Sequence, residues 1–307
     1  MDIFLQQIIN GLVLGSIYAL VALGYTMVYG IINLINFAHG EVLMVGAMVS
    51  WTVITLIGPG TLPGVLLLLI ALAVAMGVCM VLNVAIERLA YRPLRDAPRL
   101  APLITAMGVS LLLQTLAMIL WKPGYKPYPT LLPNQVFHVG GAVITFTQVA
   151  ILGVTALTLA GLMLLIHRSR LGRAMRATAE NPRVAALMGV RPDTVIAATF
   201  AIGAALAALA GVMVASNYGS VQHAMGFLPG LKAFTAAVFG GIGNLPGAMV
   251  GGLLLGLIES LGAGYIGPLT GGVLGSHYQD IFAFIVLILV LTLRPQGLLG
   301  ERVADRA

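Results

Sequence analysis

The sequence predicts an all-α fold, a polytopic helical membrane protein, and three observations carry that prediction. The 307-residue chain is 59% hydrophobic with a mean hydropathy of +1.02. Only 8% of its residues are charged, where a soluble domain carries about a quarter. Apolar stretches long enough to cross about 30 Å of hydrocarbon recur from one end to the other, and the charges fall between them. That placement follows from energetics, because a Lys, Arg or Asp at mid-bilayer is disfavoured by roughly 2.5–3.5 kcal/mol on the insertion scale.

Taken in order, spans are expected at 8–31, 42–57, 63–86, 102–121, 149–166 and 194–216, then over a long stretch at 227–264, and last at 278–293. This makes about eight spans in one transmembrane domain covering 1–307. The opening MDIFLQQIINGLVLG lacks the basic n-region of a secretory signal and reads as the start of a retained span. Residues 122–147, rich in Pro and Tyr, form the longest non-apolar connection and are expected outside the cytoplasm.

Orientation follows from the arginines. Arg88, Arg92, Arg95 and Arg99 occupy one short turn, and Arg168, Arg170, Arg173, Arg176, Arg183 and Arg191 occupy the loop 168–193. The tail bears Arg294, Arg302 and Arg306. The positive-inside rule puts all three on the cytoplasmic side and the N-terminus outside. A single crossing by 227–264 would carry the tail to the wrong side, so the stretch must be broken. GGIGNLPGA, from Gly240 to Ala248, supplies the break, because clustered Gly and Pro interrupt a helix. Two short helices are expected, 227–239 and 248–264, with the break either a plain turn or irregular backbone lining a cavity.

Residues 8–48 and 196–238 share an order: a Gly/Ala-rich span, a polar break with a histidine, and an aromatic-led second helix. They run in opposite directions in this topology and form a possible inverted repeat, a construction common in transporters. Small residues throughout the spans, as in GAALAALAGVM and GGLLLGLIES, permit close helix approach.

Catalytic signals are missing. The lysines Lys122, Lys126 and Lys232 are followed by Pro, Pro and Ala, so the Gly-Lys-Ser/Thr of a phosphate-binding loop does not occur and the chain is expected to be no enzyme and to hydrolyse no ATP by itself. The single cysteine, Cys79, lies in an apolar run and reads as a buried small hydrophobe. No cofactor and no metal are expected. A pI near 9.7 reflects the loops rather than a basic groove, so nucleic acid is not expected as a partner.

Ionisable groups inside the spans remain as functional candidates. Asn36, His39 and Glu41 stand where the second helix begins. A bland role for them is Asn36 as helix cap with Glu41 near the positive end; the other is a place on a translocation path. Lys232 and Glu259 lie at similar depth if 227–264 folds back on itself, and an ion pair is expected there.

INGLVLGSIYALVALGYTMVYGIINLINFAHGEVLMVGA, RATAENPRVAALMGVRPDTVIAATFAIGAALAALAGVM and LKAFTAAVFGGIGNLPGAMVGGLLLGLIES together resemble the LivH-type permease of the branched-chain amino acid ABC importer, over essentially the full length. The resemblance implies a bacterial inner-membrane protein forming half of a permease heterodimer with a LivM-type partner. It also implies two cytoplasmic ATPase subunits and a periplasmic amino-acid-binding protein delivering leucine, isoleucine or valine. Permeases for urea and short-chain amides are close relatives, so these substrates stand as the alternative.

The resemblance further implies that 168–193 holds the helix that couples to an ATPase. Ala185, Ala186 and Gly189 match the small-residue core of the family's Glu-Ala-Ala, then Gly, pattern. Arg183 occupies the Glu position, a departure for which Glu180 is the available substitute. Arg173 and Arg176 flank the expected contact. Anchoring to anionic lipid head groups is the plainer reading of the same arginines. Two other classes stay open: a proton-coupled secondary transporter using His39 and Glu41, and a passive channel.

Overall fold

The computed structural model describes residues 2–95, 97–98, 100–271, 279–294 and 296–300. Arg99, His277, Arg302 and Arg306 lie outside the described residues. The chain forms helices α1 (Asp2–Ile32), α2 (His39–Ile57), α3 (Gly64–Ile86), α4 (Leu100–Trp121) and α5 (Phe146–Arg168). Next come α6 (Arg170–Glu180), α7 (Pro182–Leu187), α8 (Pro192–Tyr218), α9 (Phe227–Gly240), α10 (Leu245–Leu269) and α11 (Gln279–Leu293). Among the described residues, 7 helices are long and apolar enough to cross a membrane: α1, α2, α3 with its extension to Leu94, α4, α5, α8 and α10. The protein is thus a polytopic helical membrane protein.

The inner bundle is built from α1, α2, α8, α9 and α10, with α3, α4 and α5 outside it and apolar side chains such as Leu69, Leu111 and Leu157 exposed on their outer faces. Small residues set the spacing. A Cβ added at Gly11 or Gly15 of α1 would stand 2.8 Å from the Cα of Leu257 or Leu253 in α10, and one at Gly46 of α2 would stand 2.6 Å from the Cα of Ala208 in α8. Backbones this close gain dispersion contacts that larger side chains would prevent, which is what drives helix association in an apolar solvent. Cys79 is buried, with Sγ 3.4 Å from the Val42 carbonyl.

The stretch 227–264 is interrupted where the Gly/Pro cluster predicts. Gly241 and Gly243 take φ of 112° and 92°, in the left-handed half of the map that favours glycine, and Asn244 caps α10 by accepting from the Gly247 N–H. The two arms are unequal, however. α9 has 14 residues, while α10 has 25 and is long enough to cross alone. The expected pair of short helices is corrected on this point, since Pro246 sits in the first turn, where its missing N–H costs nothing, and α10 begins three residues early. The turn is also tied down: the N–H groups of Leu298 and Leu299 donate to the carbonyls of Phe239 and Gly240, both at 2.9 Å.

Two further differences concern loops. Glu87 to Leu94 is not a turn but a continuation of α3 through a π-helical segment, Glu87–Tyr91, and a single 3₁₀ turn, Arg92–Leu94. The 122–147 connection contains short strands: β1 (Lys126–Pro127) pairs with β4 (Ser220–Val221), and β2 (Val136–Val139) with β3 (Ala142–Thr145). Gly140 and Gly141, both at positive φ, make the two-residue hairpin turn.

Candidate functional site

The first candidate region lies partway along the bundle. Asn33, at φ 51°, ends α1, Asn being among the residues that tolerate this conformation. Residues 33–38 then turn back, so that His39 packs against Gly24, about 12 Å short of the end of α1 by a rise of about 1.5 Å per residue. α2 therefore starts inside the bundle. Its first turn meets the first turn of α9: a Cβ at Gly40 would fall 2.7 Å from the Gly226 carbonyl oxygen and 2.9 Å from the Gly230 Cα.

Asn36 does not cap α2. The N-cap is Ala38, with no side-chain cap, and the Asn36 Oδ1 instead accepts a 2.8 Å bond from the Tyr91 hydroxyl on the π-helical segment. His39 is fully buried, its ring set at 65° to that of Tyr25 with centroids 4.9 Å apart.

Glu41 is 1% exposed. Its Oε1 accepts from Gln114 Nε2 at 2.7 Å and Ser110 Oγ at 3.3 Å, both on α4, while Oε2 has no partner. The α2 N-terminus favours a carboxylate by up to ~2 kcal/mol in a partly buried geometry, less than the several kcal/mol that burying an ion costs. Glu41 thus remains under-compensated. It opens on a cavity of about 260 Å³ between α2, α4 and α9, with Phe37, Met107, Leu111, Phe227 and Leu231 on the walls.

Ser110 and Gln114 escaped sequence reasoning, although their spacing of four places both on one face of a helix. His39 is not on this wall.

The second region is an ion cluster. Lys232 Nζ lies 2.6 Å from Glu259 Oε1 and 2.7 Å from Asp280 Oδ1. Tyr18 donates to the other Glu259 oxygen at 2.9 Å, and its ring lies 5.8 Å from the ammonium. Side-chain exposures of 11%, 3% and 35% for Lys232, Glu259 and Asp280 grade the cluster from the core outward. Depth matching found two members. It missed Asp280, whose signal was a carboxylate at the start of an apolar span.

The third region is the loop 168–193, which holds two helices rather than one. Ser169 caps α6 through the Gly172 N–H at 2.9 Å, and Arg176 donates to the Ile166 carbonyl at the end of α5, where a cation meets the negative helix end. Asn181 accepts from the Arg183 and Val184 N–H groups at 3.0 and 3.1 Å, capping α7. At the other end, Gly189 at φ 84° allows the Gly189 N–H to reach the Ala186 carbonyl and the Val190 N–H to reach the Ala185 carbonyl, each at 3.1 Å. This is the Schellman closure of a helix.

The short α7 thus stands as a fixed knuckle. Ala185 is 3% exposed and turns toward the chain itself. The exposed side is Val184 (53%), Leu187 (86%) and Met188 (80%), with Ala186 also exposed. Arg173, Arg183 and Glu180 are exposed around it, and Glu180 makes no ion pair among the described residues.

Beside this knuckle, Asp193 at the start of α8 takes both Arg92 and Arg95, the latter at 2.6 Å, and Arg95 also pairs with the buried Glu87. These ion pairs join α8 to the π-helical segment that carries Tyr91.

Comparison with known proteins places this architecture. The chain is 51% identical over 303 residues to the high-affinity branched-chain amino acid transport system permease protein BraD of Pseudomonas aeruginosa, covering 97% of this chain and 96% of that one. It is 46% identical over 304 residues to the LivH permease protein of Escherichia coli strain K12, with 97% and 96% covered. The probable branched-chain amino acid transport permease protein LivH of Methanocaldococcus jannaschii is 29% identical over 311 residues, with 97% and 94% covered. The family described as branched-chain amino acid transport system / permease component matches residues 7–291, and the chain belongs to that family.

Proposed function

We propose that this chain is the membrane-spanning permease subunit of an ATP-driven, binding-protein-dependent importer of branched-chain amino acids. It forms half of the translocation pathway beside a LivM-type permease, in the bacterial inner membrane. Two cytoplasmic ATPase subunits drive it, one of them gripping α6 and α7. A periplasmic binding protein delivers the solute to the opposite end, where β1 to β4 lie. The N-terminus is outside and the C-terminus cytoplasmic.

One observation beyond family membership supports this most directly: the apolar tip of α7. Val184, Leu187 and Met188 stand exposed on a helix closed at both ends by hydrogen bonds. An apolar tip held in one conformation suits insertion into a protein cleft, because little ordering entropy is lost on docking.

Leu187→Asp tests the assignment. The side chain is so exposed that insertion, accumulation and pairing with the second permease should be unchanged. Burying an aspartate in the cleft should weaken ATPase binding by ~2 kcal/mol or more, about 30-fold, so the ATPases should be lost on purification and leucine uptake should fall. Ala186→Trp should act the same way. Full ATPase retention with full uptake would overturn the coupling role, and leucine uptake by the lone chain under a proton gradient would replace this reading by secondary transport.

A further inference from the structure

We infer that the cavity beside Glu41 is a solute subsite of the permease itself, with the Glu41 carboxylate receiving the ammonium of an aliphatic α-amino acid. The inference rests on the importer reading above and adds to it which group of the solute is read, and where.

The starting point is a buried carboxylate without a cation. Glu41 is 1% exposed, and no Lys or Arg lies within ion-pairing distance of it among the described residues. Lys232 is on the adjoining helix α9, but it is committed to Glu259 and Asp280. Gln114 and Ser110 are neutral donors that hold Oε1 in place, and they leave Oε2 with no partner. Glu41 lines the cavity, and its second oxygen, itself enclosed, has no partner; a carboxylate held on one side and unpartnered on the other is arranged to accept a donor that the chain does not supply.

The cavity wall specifies the rest of the solute. At about 260 Å³ it accommodates a small molecule, and apart from Tyr25, Glu41, Ser110 and Gln114 it is lined mainly by Phe37, Met107, Leu111, Phe227 and Leu231, a surface for a branched aliphatic side chain. The first turn of α9 also lines it and has no side-chain cap. Its unpaired N–H groups and positive end suit the α-carboxylate of the same molecule. Ammonium, aliphatic body and carboxylate thus each meet a complementary surface. Urea and neutral amides offer no cation, so Glu41 would discriminate against them.

The test is equilibrium binding of radiolabelled leucine to the assembled permease and ATPase complex without the solute-binding protein. Leucine should bind, isoamylamine (leucine without its carboxylate) should compete, and isocaproate (leucine without its ammonium) should not. Glu41→Gln keeps the shape and removes the charge, and it should weaken leucine binding about tenfold or more. Absence of leucine binding by the unaltered complex, equal competition by isocaproate, or unchanged affinity in Glu41→Gln overturns the subsite. The competition series uses the unaltered complex, so it decides the matter even where Glu41→Gln fails to assemble. ATP-driven leucine uptake, with binding protein added, is measured on the same preparation: uptake without direct binding refutes the subsite alone, whereas no uptake refutes the importer reading.

Discussion

Lys232→Met should be the most damaging of the single changes in the ion cluster, and the reason is countable. Among the described residues Lys232 is the sole cation there, holding Glu259 at 2.6 Å and Asp280 at 2.7 Å. Removing it leaves two carboxylates facing each other, one of them 3% exposed. Breaking a buried pair by deleting one partner costs about 3–5 kcal/mol, and the like-charge contact adds to that.

Glu259→Gln is milder because Lys232 keeps Asp280 and the amide oxygen can still accept from Tyr18, so the loss is that of one charge-assisted bond, about 1.5–3 kcal/mol. Asp280→Asn is milder again, since that side chain is 35% exposed and water takes over, leaving about 0–1 kcal/mol. The double change Lys232→Met with Glu259→Gln should cost at least ~1.5 kcal/mol less than the sum of the singles, because the second substitution removes the carboxylate that the first orphaned. Reversible unfolding in mixed detergent micelles, followed by tryptophan fluorescence, measures all four proteins. Additive losses, or an Asp280→Asn protein as unstable as Lys232→Met, would show that the three groups do not act as one cluster.

The remaining predictions concern orientation and the ion pairs around Arg95. With Cys79 replaced by Ser, a cysteine at exposed Glu180 should react with impermeant maleimide only in inside-out vesicles and one at Asn134 only in intact cells; labelling of position 180 from outside would reverse the topology. Asp193, 52% exposed, should tolerate Asn with a loss of about 0–1 kcal/mol that shrinks further in salt. Glu87→Gln, at a buried position paired with Arg95, should lose more stability and show little salt dependence in the same unfolding assay, and equal salt dependence of the two would contradict the graded burial.

Sequence reasoning reached what one-dimensional cost can report. Hydropathy located the spans because the bilayer penalises each misplaced charge separately, and GGIGNLPGA announced the α9–α10 break because Gly and Pro act locally. Lys232 and Glu259 could be paired from depth alone, given the fold-back. What escaped depends on which face of which helix meets another. Gln114 and Ser110 gain meaning only once α4 lies on α2, and Asp280 only once α11 reaches α9. Asn36 looked like a cap because Asn often is one, but Tyr91, brought in by the π-helical segment, competes for its side chain. Ala185 and Ala186 matched a family pattern, yet helical phase on α7 turned Ala185 inward and left Ala186 exposed beside Val184, Leu187 and Met188.

The two breaks carry an electrostatic problem that the side chains divide between them. The first turns of α2 and α9 meet through Gly40, Gly226 and Gly230, and each helix start behaves as roughly half a positive charge. Two such ends side by side repel unless an anion stands near them. Lys232, a little over one turn into α9, would deepen the repulsion, but its charge is drawn off by Glu259 and Asp280 on the far side of the helix. Glu41 is left as the anion at the junction, held by neutral donors rather than by a cation. Tyr91 and Asn36 fix the chain where it turns back, so the position of that carboxylate depends on the π-helical segment, and through Glu87, Arg95 and Asp193 that segment is joined by ion pairs to the start of α8, four residues beyond Gly189 at the end of the knuckle.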